Sequence, residues 1–113
     1  MDLKEEKLAQ NIRDCGHQVK LAERALAKAE ANEKRLMATL MLGFQTNEGI
    51  KSTAAQTTKA DATDEMFHAR VKRGVAKGML ASAKSNLTAA EAEVRIWQTK
   101  IASINLEKRA YRA

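Results

Sequence analysis

Residues 49–53 carry the glycine, lysine and hydroxyl side chains from which a phosphate-binding loop could be built. That motif requires a glycine directly before the lysine and another glycine at a fixed distance upstream, after a strand. Here Ile50 precedes Lys51, Gly43 lies too far upstream, and no strand-like pattern comes before it. We therefore interpret this stretch as a polar turn followed by a helix cap rather than as a nucleotide site.

The other side chains that could do chemistry are one cysteine, two histidines and two pairs of carboxylates. Cys15 and His17 are two residues apart, so on a helix they point in different directions, and His68 is remote in sequence. The carboxylate pairs are Glu30 with Glu33 and Glu91 with Glu93. They lie among basic residues, and no nucleophile with a base and an orienting group can be assembled. The sequence predicts a non-enzymatic protein with no catalytic residue, metal or cofactor.

Positive charge is concentrated in the second half of the chain. The formal net charge is +6, yet residues 1–50 carry eight basic and eight acidic side chains, whereas residues 51–113 carry twelve and six. No acid lies between Met66 and Ala90. At about 100° per residue, five cations fall on one side of a helix. This basic stripe consists of Arg70, Arg73, Lys77, Lys84 and Arg95.

The basic stripe is open to three interpretations. It could contact successive phosphates of a nucleic acid, and such binding would be weakly sequence-specific and salt-dependent because only Phe67 is placed to stack on bases. It could instead dock on an acidic protein surface, or it could be a solvated helix face without a partner. Arg73 also occupies a heptad position, so it would lie partly inside if the heptads continue there.

Composition favours an elongated helical protein over a globule. The chain has 113 residues, no proline and 4% aromatic side chains, and much of its apolar content is alanine. Such side chains bury too little area for a large compact core. We predict a single all-α domain over residues 1–113. The single cysteine excludes an intrachain disulfide, and the lack of a signal-like start or a long apolar run predicts a cytoplasmic protein.

Two periodic segments flank one turn-rich stretch at residues 43–52. The pattern predicts a helix over 2–42 with Gly43 as its C-terminal cap, and a second helix over 53–112. A later restart at Asp61 is an alternative, because the preceding threonines are poor helix formers.

Both segments repeat small or apolar residues at steps of three and four. This period is typical of left-handed coiled coils, so we predict a long antiparallel helical hairpin. The seam of the first segment is Leu8, Ile12, Cys15, Val19, Ala22, Leu26, Ala29, Glu33, Leu36 and Leu40. The seam of the second is Leu80, Ala83, Leu87, Ala90, Val94, Trp97, Ile101 and Ile104, ending at Tyr111 and extended upstream by Ala62, Ala69 and Ala76.

The predicted hairpin leaves its C-terminal end without a partner. If residues 2–42 pair with about 53–92, then residues 93–111 are left over. They carry the richest apolar set of the chain, which is Val94, Trp97, Ile101, Ile104 and Tyr111. Exposed apolar patches mark interaction sites, so these residues predict self-association into a homo-oligomer. The alternative is a bend at 74–78, at Gly74 or Gly78, that folds the last part of the chain back as a third helix.

Four stretches carry a likeness to known proteins: residues 22–30 (AERALAKAE), 34–36 (KRL), 49–52 (GIKS) and 91–98 (EAEVRIWQ). Together they resemble small alanine-rich helical accessory proteins of temperate bacteriophages, which are often encoded near recombination genes. The resemblance implies a phage factor in the bacterial host cytoplasm, acting on DNA processing or on a host defence or repair protein. It supplies no catalytic or binding residues.

These observations predict a non-enzymatic phage accessory protein that binds nucleic acid through the basic stripe during recombination or replication. A first alternative is a protein-binding inhibitor or modulator of a host defence or repair protein. A second alternative is a structural or scaffold coiled-coil protein. No membrane partner is expected.

Overall fold

The computed structural model describes residues 3–112, and these form three α-helices. Helix α1 spans Leu3–Glu48, α2 spans Thr53–Asp61 and α3 spans Asp64–Arg112. The described residues contain no strand. The prediction of an all-α helical hairpin is confirmed. Within the described range, every helix is too short or too polar to cross a membrane.

The helices form two compact units. The turn unit is Leu21–Leu80, which contains the later part of α1, all of α2 and the start of α3. The terminal unit contains the described residues up to Lys20 and those from Ala81 onward. In the turn unit α1 and α3 run antiparallel, since Glu33 contacts Arg73 while residues nearer the end of α1 contact α2.

Helix α1 ends later than the sequence predicts. The prediction that Gly43 caps it is wrong, because Gly43 lies inside the helix and Gly49 takes the left-handed conformation, with φ +68°. Only glycine adopts this conformation without a steric cost. The backbone N–H of Ile50 then donates to the carbonyl of Phe44 at 3.2 Å. The predicted first helical residue, Asp2, lies outside the described residues.

Tertiary contacts account for the extra length of α1. Glu48 forms an ion pair with Lys59 of α2. The Lys59 ammonium also lies 5.1 Å from the centre of the Phe44 ring, within the range of a cation–π contact. These contacts stabilise helix in the part of the chain that local propensity assigned to the turn.

The turn itself is short and is closed by side chains. Ser52 is the N-cap of α2, with its hydroxyl accepting the Ala55 N–H at 3.4 Å. The Gln56 amide is buried and donates to the Ile50 carbonyl at 2.6 Å. These bonds satisfy polar groups that the turn would otherwise leave without partners.

The second segment is broken, at a place different from the predicted bend. Helix α2 ends at Asp61, and Thr63 caps α3 by accepting the Met66 N–H on its hydroxyl at 3.2 Å. Helix α3 is continuous through 74–78, so the helix predicted over 53–112 is two helices that meet at 62–63. The alternative prediction, in which the second helix begins at Asp61, lies close to the observed break. A threonine hydroxyl replaces the backbone partner that the first turn lacks.

The turn unit has a small core. Ala60 and Met66 are fully buried and Ala76 nearly so. The α1 seam positions of this unit are all half-buried, and no residue of α1 is fully buried. Ala62 is exposed and does not extend the seam, because the break at 62–63 shifts the register and places Met66 inside instead.

In the terminal unit, the prediction that residues 93–111 lack a partner is wrong for Val94 and Trp97. Trp97 and Val94 are half-buried and border the same groove as Leu8 and Ile12 of α1. They therefore do not lie beyond the end of α1. Because α1 is longer and the turn is shorter than predicted, the start of α1 pairs with residues of α3 that lie closer to the C-terminus. The later seam positions are exposed; these are Ile101, Ile104 and Tyr111.

Candidate functional site

Two residues of the basic stripe are engaged inside the turn unit. Arg73 Nη1 lies 2.8 Å from Glu33 Oε2 and donates to Glu33 Oε1 at 2.9 Å. Arg70 donates to Asp61 and lies 3.5 Å from Glu33 Oε1 through its Nε. Two carboxylates therefore offset the charges of two arginines that the sequence analysis assigned to partner binding.

Glu33 explains why both arginines are paired within the chain. It is the one acidic residue at a seam position of α1, and its side chain is only 13% exposed. A partly buried carboxylate is costly unless it is paired. Its Oε2 is buried and accepts no hydrogen bond, although Arg73 lies within ion-pair distance. Arg73 occupies a seam position and contacts Glu33, yet its side chain is 46% exposed, so it lies at the edge of the seam rather than inside it.

Arg70 stays cationic under all ordinary conditions. Its hydrogen bond to Asp61 raises the pKa of the guanidinium above its usual value, and the nearby Glu33 carboxylate adds to this effect. Both side chains of the Arg70–Asp61 pair are about two-fifths exposed, so solvent screens the attraction. The pair therefore offsets the charge of Arg70 but contributes little to the free energy of folding.

The remaining cations of the stripe are exposed. Lys77 belongs to the turn unit, whereas Lys84 and Arg95 belong to the terminal unit. None of the three forms an ion pair with another described residue. Of the five predicted binding residues, these are the ones whose charge is available to a partner.

The sequence analysis missed an exposed apolar ridge on α3 of the turn unit. We define the α3 ridge as Phe67, Val71, Val75 and Met79, which are 63%, 47%, 58% and 61% exposed. The four residues recur at steps of four, so they form one continuous row on the helix surface. The spacing of four is visible in the sequence, but these residues lie outside the heptad seam and outside the basic stripe.

Two glycines lie beside the α3 ridge. A Cβ atom built on Gly74 or on Gly78 would meet nothing within 4 Å. Both have helical backbone conformations, since Gly49 is the glycine with positive φ among the described residues. Glycine inside a helix costs about 1 kcal/mol relative to alanine. Neither turn geometry nor packing within the chain requires glycine at these positions.

An open groove of about 760 Å³ lies on the flank of α3 next to Glu33. Its floor includes Met37, Met41 and Met66, whose flexible side chains adapt to varied apolar groups. Its rim mixes carboxylates with cations. The mixed rim favours no single class of charged ligand, so the groove points less clearly to a partner than the α3 ridge does.

The chemistry-bearing residues of the sequence are not brought together. Cys15 is half-buried and its thiol contacts Asn11, four residues earlier. Across residues 3–112, His, Cys, Asp and Glu side chains form no group of three that could hold a metal ion. Nothing beyond the helix faces therefore stands out as a site in the described part of the chain.

No protein-family model matches the chain, and neither does a curated protein or a solved structure. The resemblance to phage accessory proteins thus stays a prediction. Any function must be inferred from the burial, charge and spacing of the chain's own residues.

Proposed function

We propose that this chain is a non-enzymatic helical binding protein whose partner is an acidic protein surface, bound on the outer side of α3 in the turn unit. The observation that carries the proposal is the α3 ridge, an exposed apolar row within a stretch that contains lysines and arginines but no acid. Apolar contact would supply most of the affinity, and the cations would select an acidic partner.

The same observations weigh against nucleic acid as the principal partner. Phosphate binding depends on cations that displace counterions, and Arg70 and Arg73 are held by Glu33 and Asp61. Apolar side chains gain little from contact with a phosphate backbone. Phe67, the one aromatic residue near the stripe, makes an edge-on contact with His68. We therefore rank protein binding above nucleic-acid binding.

Nucleic-acid binding in recombination or replication remains the second candidate. It is favoured by Lys77, Lys84 and Arg95, whose exposed charges pair with no carboxylate of the described residues. Such binding would be weak and would fall steeply with salt. If the resemblance to phage proteins holds, an acidic partner would be a host defence or repair protein.

A pull-down from bacterial lysate with and without nuclease separates the two candidates. We expect one protein in fixed stoichiometry that survives nuclease treatment. Reversing the charge of α3 with Lys72→Glu and Lys77→Glu should release it, whereas Lys28→Glu and Arg35→Glu on α1 should not. Recovery of nucleic acid alone, lost with nuclease and with moderate salt, would favour the second candidate instead.

A further inference from the structure

We infer that the partner element seated on this surface is an amphipathic α-helix with acidic flanks, and that it crosses α3 at close range over Gly74 and Gly78. The inference rests on the proposed function, because it takes an acidic partner on α3 as given. It adds the shape of the partner element and the place where the two backbones approach.

The geometry of the surface supports a helix. The α3 ridge follows steps of four, and the neighbouring row, offset by three residues, contains Gly74 and Gly78. A row of large side chains thus lies next to two consecutive positions of the neighbouring row that have no side chain. Two helices pack when the ridge of one enters the groove of the other, and pairing of step-of-four rows gives a crossing angle of roughly −50°.

The glycines support a close approach. Alanine would favour the helix at both positions, and a Cβ atom there would meet no atom of the chain within 4 Å. An approaching backbone is the circumstance in which the missing Cβ is an advantage. Pairs of small residues four apart allow two helix backbones to come unusually near.

Charge identifies the chemistry of the partner helix. Lys72 and Lys77 lie on opposite sides of the surface formed by the α3 ridge and the two glycines, each about 110° around the helix from the centre of that surface. Both are exposed, and residues 67–80 contain no acid. A helix that crosses this surface with carboxylates on its two edges would have a lysine on each side.

A second copy of the chain fits this surface poorly. Its own α3 would bring the same lysines, and the exposed side of its α1 presents Arg24, Lys28 and Arg35, with the carboxylates Glu23 and Glu30 along one edge alone. Like charges would face each other in either arrangement. The partner helix is therefore assigned to a different, acidic protein.

The test uses two synthetic helical peptides with the same leucine and alanine face, one with glutamates on both edges and one with lysines. Fluorescence anisotropy measures their binding to the full chain at low and moderate salt. We expect the glutamate peptide to bind at least ten times more tightly than the lysine peptide. Equal binding of the two peptides would remove the charge argument.

The crossing point is tested by Gly78→Leu, with Ala31→Leu on the exposed side of α1 as the matched control. The leucine side chain at position 78 would occupy the space left by the glycine. The affinity for the glutamate peptide should fall at least tenfold, and the melting temperature of the chain should rise. The control should bind like the parent chain. A Gly78→Leu chain that is stable and binds normally would overturn the crossing.

The outcomes separate the inference from the proposed function. If the glutamate peptide binds, loses affinity with Lys72→Glu and Lys77→Glu, and ignores Gly78→Leu, the acidic partner stands and the close crossing fails. If neither peptide binds, both fail. If the chain binds duplex DNA more tightly than the glutamate peptide, or sediments as a dimer that Gly78→Leu dissociates, the assignment to an acidic helix is overturned.

Discussion

Within the turn unit, the sides of α1 and α3 that lie away from the seam are both exposed to solvent, yet they differ in chemistry. On α1 the exposed side presents Arg24, Lys28 and Arg35 around Ala31. On α3 it presents the α3 ridge and two glycines. Both helices use the same heptad pattern on their inner side, so the pattern that builds the hairpin does not dictate this difference.

The exposed side of α1 is charged, whereas the exposed side of α3 is largely apolar. Single exposed apolar residues are common, and α1 has Leu42, 64% exposed, as an example. A continuous apolar row without a charge is uncommon on a protein that stays alone in water. This contrast supports the proposal that the binding surface lies on α3 rather than on α1.

The largest expected effect comes from making the exposed side of α3 as polar as that of α1. Replacing Phe67 and Val75 with glutamine removes apolar area worth about 1.5–3 kcal/mol per residue if each is fully buried in the complex. Binding of the glutamate peptide should weaken by about a hundredfold or more, measured by fluorescence anisotropy. The free energy of unfolding should change by less than about 0.5 kcal/mol, because both side chains are exposed.

Ala31→Gln on α1 is the control for this double substitution and should leave peptide binding unchanged. A comparable loss of affinity in the control would mean that the two exposed sides are equivalent. In that case the contrast between α1 and α3 would have no functional meaning.

The next largest effect concerns Glu33, which forms an ion pair with Arg73. Glu33→Ala leaves two arginines without this carboxylate and should lower the free energy of unfolding by about 1–2 kcal/mol, less than for a fully buried pair because the arginines are partly exposed. Glu33→Leu should restore most of that loss, since leucine suits a seam position. Urea unfolding followed by circular dichroism measures both values.

The same pair of variants bears on nucleic-acid binding. Both release Arg73, so both should increase affinity for duplex DNA at low salt by a few fold, with a steeper salt dependence. An unchanged DNA affinity in a folded Glu33→Leu chain would show that the released arginine contacts no phosphate. The second candidate function would then rest on Lys77, Lys84 and Arg95 alone.

The sequence predicts the hairpin well because heptad spacing is a local signal. All ten predicted seam positions of α1 are half-buried. The helix ends are less predictable, because Gly43 and Gly49 are equally good caps in isolation. The choice between them depends on the contacts that Lys59 makes with Glu48 and Phe44 across the turn.

The candidate site was predictable in part. The excess of positive charge in the second half is visible in the sequence, but the pairing of Arg73 with Glu33 requires the register of α1 against α3. That register depends on where the turn ends and on the break at 62–63. Recognising the α3 ridge requires no register, because its spacing of four is visible in the sequence at positions outside the seam.

The smallest expected effect tests whether exposed apolar residues are sufficient for association without an adjoining groove. Of the predicted self-association residues in the terminal unit, Ile101, Ile104 and Tyr111 are exposed, and the two isoleucines lie near Lys100, Lys108 and Arg109 in the sequence. Self-association through them should be weak, because like charges surround them and each is already about two-thirds covered, at 36% and 38% exposed. Sedimentation over micromolar concentrations should show a monomer–dimer equilibrium that Ile104→Lys shifts toward monomer by less than about tenfold, the equivalent of about 1.4 kcal/mol. A monomer at all concentrations would remove the homo-oligomer, and a dimer that resists Ile104→Lys but dissociates with Phe67→Gln would move self-association to the α3 ridge.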